Sequence, residues 1–280
     1  MKSFEEKELK RLYKPMVQTK GGNGQITIIG GSFLFHGAPI LSLKTASRVV
    51  DMVFFTSPEP SIGKIAQHLK SKLFSFIWFP FDQIDEYIEK SDAILIGPGL
   101  MRYHKKISNF KFPVSSRLDE AGLETKKITE RLLSEFPQKQ WVIDAGSLQV
   151  MDKKFIPKDA ILTPNQKEFV MLFGGEKLQV TAKKHDCIIV FKNAVTEIFS
   201  AQESSLIEGG NNGLIKGGTG DVLAGLTTAL AAKSPPFFSA CAASFIVKKA
   251  ADELYQKVGF AYNADDLAEK IPEVLGCYLR

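Results

Sequence analysis

Cysteine is scarce in this chain: three residues in 280, Cys187, Cys241 and Cys277, odd in number, far apart and without a CxxC pair. Such spacing argues against a zinc site or a disulfide framework and fits thiols that stay reduced and buried. No apolar run reaches the roughly 18 residues that a membrane helix needs. Residues 1–24 carry charges throughout and contain no apolar stretch of the signal-peptide kind. The expectation is a soluble, cytoplasmic protein with no membrane partner. Histidine is also sparse, with four residues and no ligand spacing among them. No Gly-Lys-Ser/Thr triplet stands at the spacing of a Walker A loop, so a P-loop is excluded.

What is present is enough apolar material for a real core, 44% of residues, which argues against disorder. The net charge is +5, and five basic residues between Arg102 and Arg117 (Arg102, Lys105, Lys106, Lys111, Arg117), with no acid among them, equal that surplus. Tyr103, Phe110 and Phe112 interleave with them, a pattern open to nucleic-acid contact. The favoured reading is a solvated insertion over 101–118 near an anionic substrate, with no nucleic-acid partner.

Short apolar runs bounded by turn residues predict strands at Ile26–Gly30, Met52–Thr56, Ala93–Ile96, Trp141–Ile143, Ala160–Leu162 and Cys187–Phe191. Continuous rather than alternating apolarity marks strands covered on both faces, as in a parallel sheet. Helices are predicted between and after them at Ile40–Val50, Ile62–Ser71, Glu124–Phe136, Gln166–Phe173, Asp221–Ala232 and Ser239–Val258. The alternation predicts an α/β fold, a doubly wound and mostly parallel central sheet with helices on both faces. With no repeat or linker visible, residues 1–280 are expected to form one domain, with 1–20 as an N-terminal extension.

In open α/β sheets the ligand lies beyond the carboxyl ends of the strands. Five polar or glycine turns fall at those ends: Gly30-Gly31-Ser32, Gly97-Pro98-Gly99, Asp144-Ala145-Gly146, Thr163-Pro164-Asn165 and Lys192-Asn193-Ala194. Their convergence predicts one extended cleft. Asp144 there could position a metal or a ribose, or simply cap its turn.

The most informative stretch is NNGLIKGGTGDVLAG, Asn211–Gly225. Glycines let a phosphate approach the main chain, and a helix starting just after them aims free N–H groups and the positive end of its dipole at an anion. Asp221 at the mouth of such a hole repels phosphate unless it holds Mg²⁺ or removes a proton; capping the helix is the alternative. Lys216, just before the glycines, could meet a phosphate.

Taken in order, the segments KGGNGQITIIGGSFLFHGAPI, ILIGPGL, VIDAGSLQVM, ILTPNQKEF, IVFKNAVTEIF and KGGTGDVLAGLTTAL resemble the ADP/ATP-dependent NAD(P)H-hydrate dehydratase family, a branch of the ribokinase-like superfamily. NADDLAEKIPEVL resembles that family's closing helix, so the likeness spans about residues 20–275. The resemblance implies a ribokinase-like fold and repair of NADH-hydrate or NADPH-hydrate. A nucleotide phosphorylates the added hydroxyl, and loss of phosphate restores the dihydronicotinamide. It also implies Mg²⁺, with ADP or ATP as co-substrate. Asp221 would be the base that activates the hydroxyl and would contact substrate, and the amides of Gly218 and Gly220 would hold the developing charge. Ala38 and Gly99 match positions lining the hydrate pocket. Lys192, Asn193, Ala194, Val195 and Thr196 match the segment that cradles the nucleotide, with Gly220 as its other wall. A homo-oligomer, a tetramer by resemblance, is implied, and a separate epimerase would be a partner of the pathway.

The chain departs from the family's pattern at Asn165, where His is usual at this substrate-contacting position; Asn can hydrogen-bond but cannot titrate. That change makes Asn165-Gln166-Lys167-Glu168 look like the NxxE motif of ribokinase-like kinases, so Glu168 becomes a candidate metal group acting through water, or a solvated helix acid. Asn193 replaces a glycine, which could narrow the nucleotide site. Two other functions share these features: a ribokinase-like kinase of a small alcohol such as a vitamin precursor, and a nucleotide binder without activity. The GGSFLFHGAPI and GPGL segments favour the dehydratase over the kinase, and Asp221 beside the anion hole disfavours a pure binder.

Overall fold

The computed structural model describes residues 1–15, 19–102 and 116–279, with the side chains of 116–118 excepted. Most of the expected insertion 101–118 therefore lies outside the described residues. The chain enters its sheet at one edge and continues third from the other. Strand β1 (Lys2–Ser3) waits at an edge, and β2 (Gln25–Ile29) leads through α1 (Gly37–Ala46) to β3 (Met52–Thr56) and through α2 (Ser61–Leu69) to β4 (Ile77–Trp78). After α3 (Ile84–Lys90), β5 (Ala93–Ile96) returns to the other side of β2. From there α4 (Ser116–Glu135), β6 (Gln140–Ile143), α5 (Ala145–Val150), β7 (Ile161–Leu162), α6 (Gln166–Phe173), α7 (Leu178–His185) and β8 (Ile188–Phe191) wind outward.

These strands are parallel throughout. Strands β9 (Thr196–Phe199) and β10 (Ser204–Ile207) then turn back antiparallel, and β1 closes the far edge parallel to β10. The result is a ten-stranded sheet in the order β1-β10-β9-β8-β7-β6-β5-β2-β3-β4. Helices α8 (Thr219–Ala231), α9 (Pro236–Val258) and α10 (Ala264–Leu279) complete the chain.

Both faces of the sheet are covered, as continuous apolarity predicts. Side chains alternate: Ile26, Ile28, Leu95 and Val142 pack with α1, α2, α8, α9 and α10. Ile29, Ile94, Ile96, Trp141 and Ile143 pack with α3, α4, α5, α6 and α7. Each fully buried side chain of this size contributes about 2 kcal/mol relative to exposure. Residues 1–20, expected as an extension, bring Phe4, Leu9 and Leu12 into the first of these cores.

Helix α1 begins three residues earlier than the periodicity predicts, because Pro39 is tolerated in a first turn whose N–H groups need no helical partner. Cys187 and Cys241 are buried and unbonded, and burial pushes both thiols up to about 12. Cys277, expected to be buried, is exposed: α10 buries Leu267, Ile271, Val274 and Leu275, and Cys277 falls outside that stripe.

Candidate active site

The five turns singled out in the sequence follow β2, β5, β6, β7 and β8, which are consecutive neighbours in the sheet. Between β2 and β5 the winding direction reverses, and at such a reversal the loops part to leave a crevice. On this side the rim is assembled by backbone lying on backbone. The Gly31 amide donates to the Pro98 carbonyl at 2.8 Å, and the Gly146 amide to the Gly97 carbonyl at 3.2 Å. A Cβ on Gly30 would stand 2.3 Å from the Pro98 oxygen, and one on Gly97, at φ +123°, 1.8 Å from the Asp144 oxygen. Gly99 has φ +71°, and a Cβ there would meet the Phe35 oxygen at 2.5 Å and the Ala38 Cβ at 3.3 Å. Gly99 and Ala38 thus share one wall.

Helix α1, which carries Ala38, lies tightly on α8, which carries Asp221. Gly225 makes this possible: a Cβ there would come within 2.5 Å of the Ser42 carbonyl oxygen. Ser42 Oγ donates to the Asp221 backbone oxygen at 2.8 Å, so the second turn of α1 is pinned to the first turn of α8.

Beyond the crevice the rim changes character. Asp144, only 2% exposed, begins α5 without capping it. Its Oδ1 instead accepts from Thr163 Oγ1 at 2.7 Å and from Lys192 Nζ at 2.9 Å. Lys192 directly follows β8, and its backbone amide donates to the Pro164 oxygen at 3.0 Å, which places it beside Asn165. A Cβ on Gly220 would lie 3.4 Å from Lys192 Nζ, so this ammonium stands at the glycine turn as well. Burial pulls the Lys192 pKa down, but Asp144, Glu168 and Asp221 together outweigh it and hold the ammonium above its ordinary value.

Glu168 is buried and closes a capping box. Its Oε2 accepts the Asn165 amide at 2.9 Å, its own amide donates to Asn165 Oδ1 at 3.0 Å, and its Oε1 accepts from Gln149 Nε2 at 3.1 Å. Burial raises its pKa, Lys192 opposes this, and Asp144 adds to it.

The glycine turn leads into α8 with Gly218 at φ +94° as the N-cap. A side chain at Gly218 would strike Leu41 at 2.5 Å and Ala264 at 2.8 Å. Among the described residues, the amides of Gly218 and Gly220 donate to no protein acceptor. The helix dipole lies behind them, an arrangement open to an anion. Asp221 sits in the first turn of α8, half-buried, and does not cap the helix. Burial, and then the nearby Asp144 and Glu168 charges, push its carboxyl up to about 7 against the opposing pull of Lys192.

The sequence-derived candidates therefore separate. Asp144, Asn165, Glu168, Lys192, Gly220 and Asp221 meet in one electrostatic cluster. Asn193, Ala194 and Val195 form an exposed turn next to it, in which Asn193 Oδ1 accepts the Ala194 amide at 2.8 Å. Thr196 is buried as the first residue of β9. Lys216 turns away from the anion hole and donates to the Phe260 and Tyr262 carbonyls at 2.5 and 2.6 Å. Gln149, which donates to Glu168, and Lys248, which donates to the Ala194 carbonyl, were missed in the sequence. A lysine inside the otherwise small and apolar stretch ACAASFIV-KK-AA was the available signal for Lys248.

Three carboxylates share the cluster with one ammonium, a surplus of negative charge suited to a cation. Among the described residues no group of three acids or histidines is placed to cage a metal by itself. That fits Mg²⁺, which keeps most of its waters and binds through phosphate oxygens and one or two carboxylates.

Comparison with known proteins concerns the chain as a whole. A family profile described as NAD(P)H-hydrate dehydratase matches residues 26–273. The bifunctional NAD(P)H-hydrate repair enzyme of Methanocaldococcus jannaschii is 34% identical over 270 residues, which covers 91% of this chain and 49% of that protein. The chain thus spans about half the length of this relative. A ribokinase-like superfamily protein from Enterococcus faecalis superimposes with a TM-score of 0.80 at 21% identity, covering 99% of this chain and 96% of that one. The ADP/ATP-dependent NAD(P)H-hydrate dehydratase of Bacillus subtilis, co-crystallised with ATP/Mg²⁺, superimposes with a TM-score of 0.76 at 21% identity, covering 99% and 98%. These superpositions show that the fold is ribokinase-like. With the profile match running through every turn of the cleft, the chain belongs to the NAD(P)H-hydrate dehydratase family.

Proposed function

We propose that this chain dehydrates NADH-hydrate or NADPH-hydrate at the expense of ATP or ADP, restoring the dihydronicotinamide and releasing phosphate. One observation carries the reading: Asp221, pushed up to about 7, stands in the first turn of a helix whose preceding amides, those of Gly218 and Gly220, are free to receive an anion. A base of that strength is matched to neutral pH.

In this reading Asp221 takes the proton of the substrate hydroxyl while that oxygen attacks the terminal phosphorus. The bond to the leaving nucleotide breaks, and the Gly218 and Gly220 amides bear the charge that develops on the transferred group. Hydroxide leaves poorly, whereas the new phosphate ester leaves readily. The ring nitrogen's electron pair expels inorganic phosphate by forming a carbon–nitrogen double bond; loss of a neighbouring ring proton to solvent then forms the carbon–carbon double bond and returns the pair to nitrogen. Lys192, held by Asp144, keeps a positive charge beside Gly220 as this happens. When bound, Mg²⁺ would neutralise nucleotide phosphate charge, and Glu168, Asp144 and Asp221 are the carboxylates that would hold it. Ala38 and Gly99 leave room for the hydrated ring, and the exposed turn Asn193–Val195 would take the nucleotide.

The jannaschii relative is bifunctional; a separate epimerase and assembly of this chain into a homo-oligomer, a tetramer, belong to the same proposal. No described helix is long and apolar enough to cross a membrane.

The test is recovery of the dihydronicotinamide absorbance. Each hydrate is mixed with the protein, Mg²⁺ and ATP or ADP, and phosphate is followed in parallel. Recovery with one phosphate released per ring restored is expected. No recovery with any combination sinks the proposal, and a stable phosphorylated product in its place would make the chain a kinase.

A further inference from the structure

Lys248 is a buried charge, 5% exposed, on a face of α9 that also carries Ser244, Ala251 and Asp252. Burial lowers its pKa, with Asp252 opposing. Its ammonium donates to the Ala194 carbonyl at 2.6 Å and to the Gly209 carbonyl at 2.9 Å. A methionine would fill the same volume without desolvating a charge, so the lysine costs stability that its two carbonyl bonds only partly offset. What it gains is a fixed distance between the 193–195 turn and the loop at Gly209 that leads toward the glycine turn.

Those bonds open a longer brace. Asp252 lies one helical turn after Lys248, on the same face of α9. It accepts the Gly210 amide at 2.8 Å and Asn211 Nδ2 at 3.1 Å. Asn211 Oδ1 accepts the Tyr262 hydroxyl at 2.7 Å and the Gly213 amide at 3.0 Å. The Tyr262 carbonyl in turn accepts Lys216 Nζ at 2.6 Å, and Lys216 immediately precedes the glycines of the anion hole. Gly210, at φ +76°, lies so close over Lys248 that a Cβ there would meet its Cγ at 3.0 Å, which leaves the loop little freedom to shift. One unbroken path of hydrogen bonds and short chain links thus runs from Ala194 to the turn at Gly217.

We infer that Lys248 and Asp252 are positioning residues for the nucleotide: together they set the width of the cleft between the 193–195 turn and the glycine turn, and so determine affinity for a nucleoside di- or triphosphate. This rests on the proposed assignment of those two turns to the nucleotide. Neither residue touches the hydrate pocket around Ala38 and Gly99, so substrate binding is independent of them.

The test is titration calorimetry on the full chain and on its Lys248→Met and Asp252→Ala variants. ADP and ATP are titrated with Mg²⁺, and hydrated NADH is titrated without nucleotide. The expected result is a rise of about tenfold or more in nucleotide Kd in both variants, as for loss of a charged hydrogen bond, with hydrate Kd within about twofold of the parent. Unchanged nucleotide Kd in a folded variant overturns the inference, as does equal weakening of nucleotide and hydrate, which would mean general loosening. Should Lys248→Met fail to fold, Asp252→Ala decides by the same criteria. A parent chain that binds neither ADP nor ATP would sink the proposed function and this inference together; binding by the parent with unaltered variants sinks the inference alone.

Discussion

The two halves of the rim are built on different principles. Around β2 and β5, turns are held by main chain against main chain, and there is no room for one extra carbon at Gly30, Gly97 or Gly99. Around β6, β7 and β8, position is set by charge, with Lys192 drawn to Asp144 beside Glu168 and Asp221. At Gly217, by contrast, a Cβ would meet nothing within 4 Å. The first half is a backbone wall, which yields less than a side chain does. In the second half burial, joined by the Asp144 and Glu168 charges, pushes the Asp221 carboxyl up to about 7.

The contrast is tested most severely by adding a methyl group on each side. Gly97→Ala drives a carbon into the Asp144 carbonyl at a φ of +123°, so the melting temperature should fall by about 10 °C or more, or folding should fail. Gly217→Ala should stay within about 2 °C of the parent. Equal melting temperatures for the two variants would erase the distinction.

A middle-sized effect is expected in the pH profile. With Asp221 pushed up to about 7, kcat/KM should fall on the acid side of neutrality, tenfold per pH unit at the limit. Lys192 opposes that upward push, so Lys192→Met should move the acid limb to higher pH, by about one unit. A limb that stays in place or moves to lower pH would deny Lys192 its electrostatic role.

The smallest effect concerns stability. The ordinary carboxyl value is 3.8 and the folded value is about 7, so between them the folded chain holds a proton that the unfolded chain releases. Stability contributed by Asp221 is therefore lost as pH rises through that window, and the cost persists above it. Asp221→Asn should raise the melting temperature at pH 8 by about 2–4 °C relative to the parent and leave it unchanged at pH 4. A rise that is the same at both pH values would point to packing instead.

The parallel half of the sheet was legible in the sequence because its strands are covered on both faces and read as unbroken apolar runs: Met52–Thr56 and Ala93–Ile96 stand where they were expected. The two edges of the sheet were not. In β10 the residues alternate between buried and half-buried, and β1 and β4 are two residues each, too short to leave a pattern. Helix α3, IDEYIEK, buries only Ile84 and Ile88 and hides among its charges. At the site, glycine turns and Asp221 carry local signals, so they could be found. Direction could not: Lys216 is one residue from the glycines yet bonds the 260–262 loop, and Lys248, remote in sequence, reaches Ala194. Such contacts depend on tertiary packing that no local motif encodes.

The central claim is that Asp221 supplies a proton-accepting group and not nucleotide affinity. Nucleotide titration and dihydronicotinamide recovery, measured side by side on the parent chain and Asp221→Asn, test it most directly. The account predicts an ADP or ATP Kd that is unchanged or slightly tighter in the variant, with turnover reduced by about a thousandfold. Turnover retained in the variant, or lost only in proportion to nucleotide binding, would contradict it.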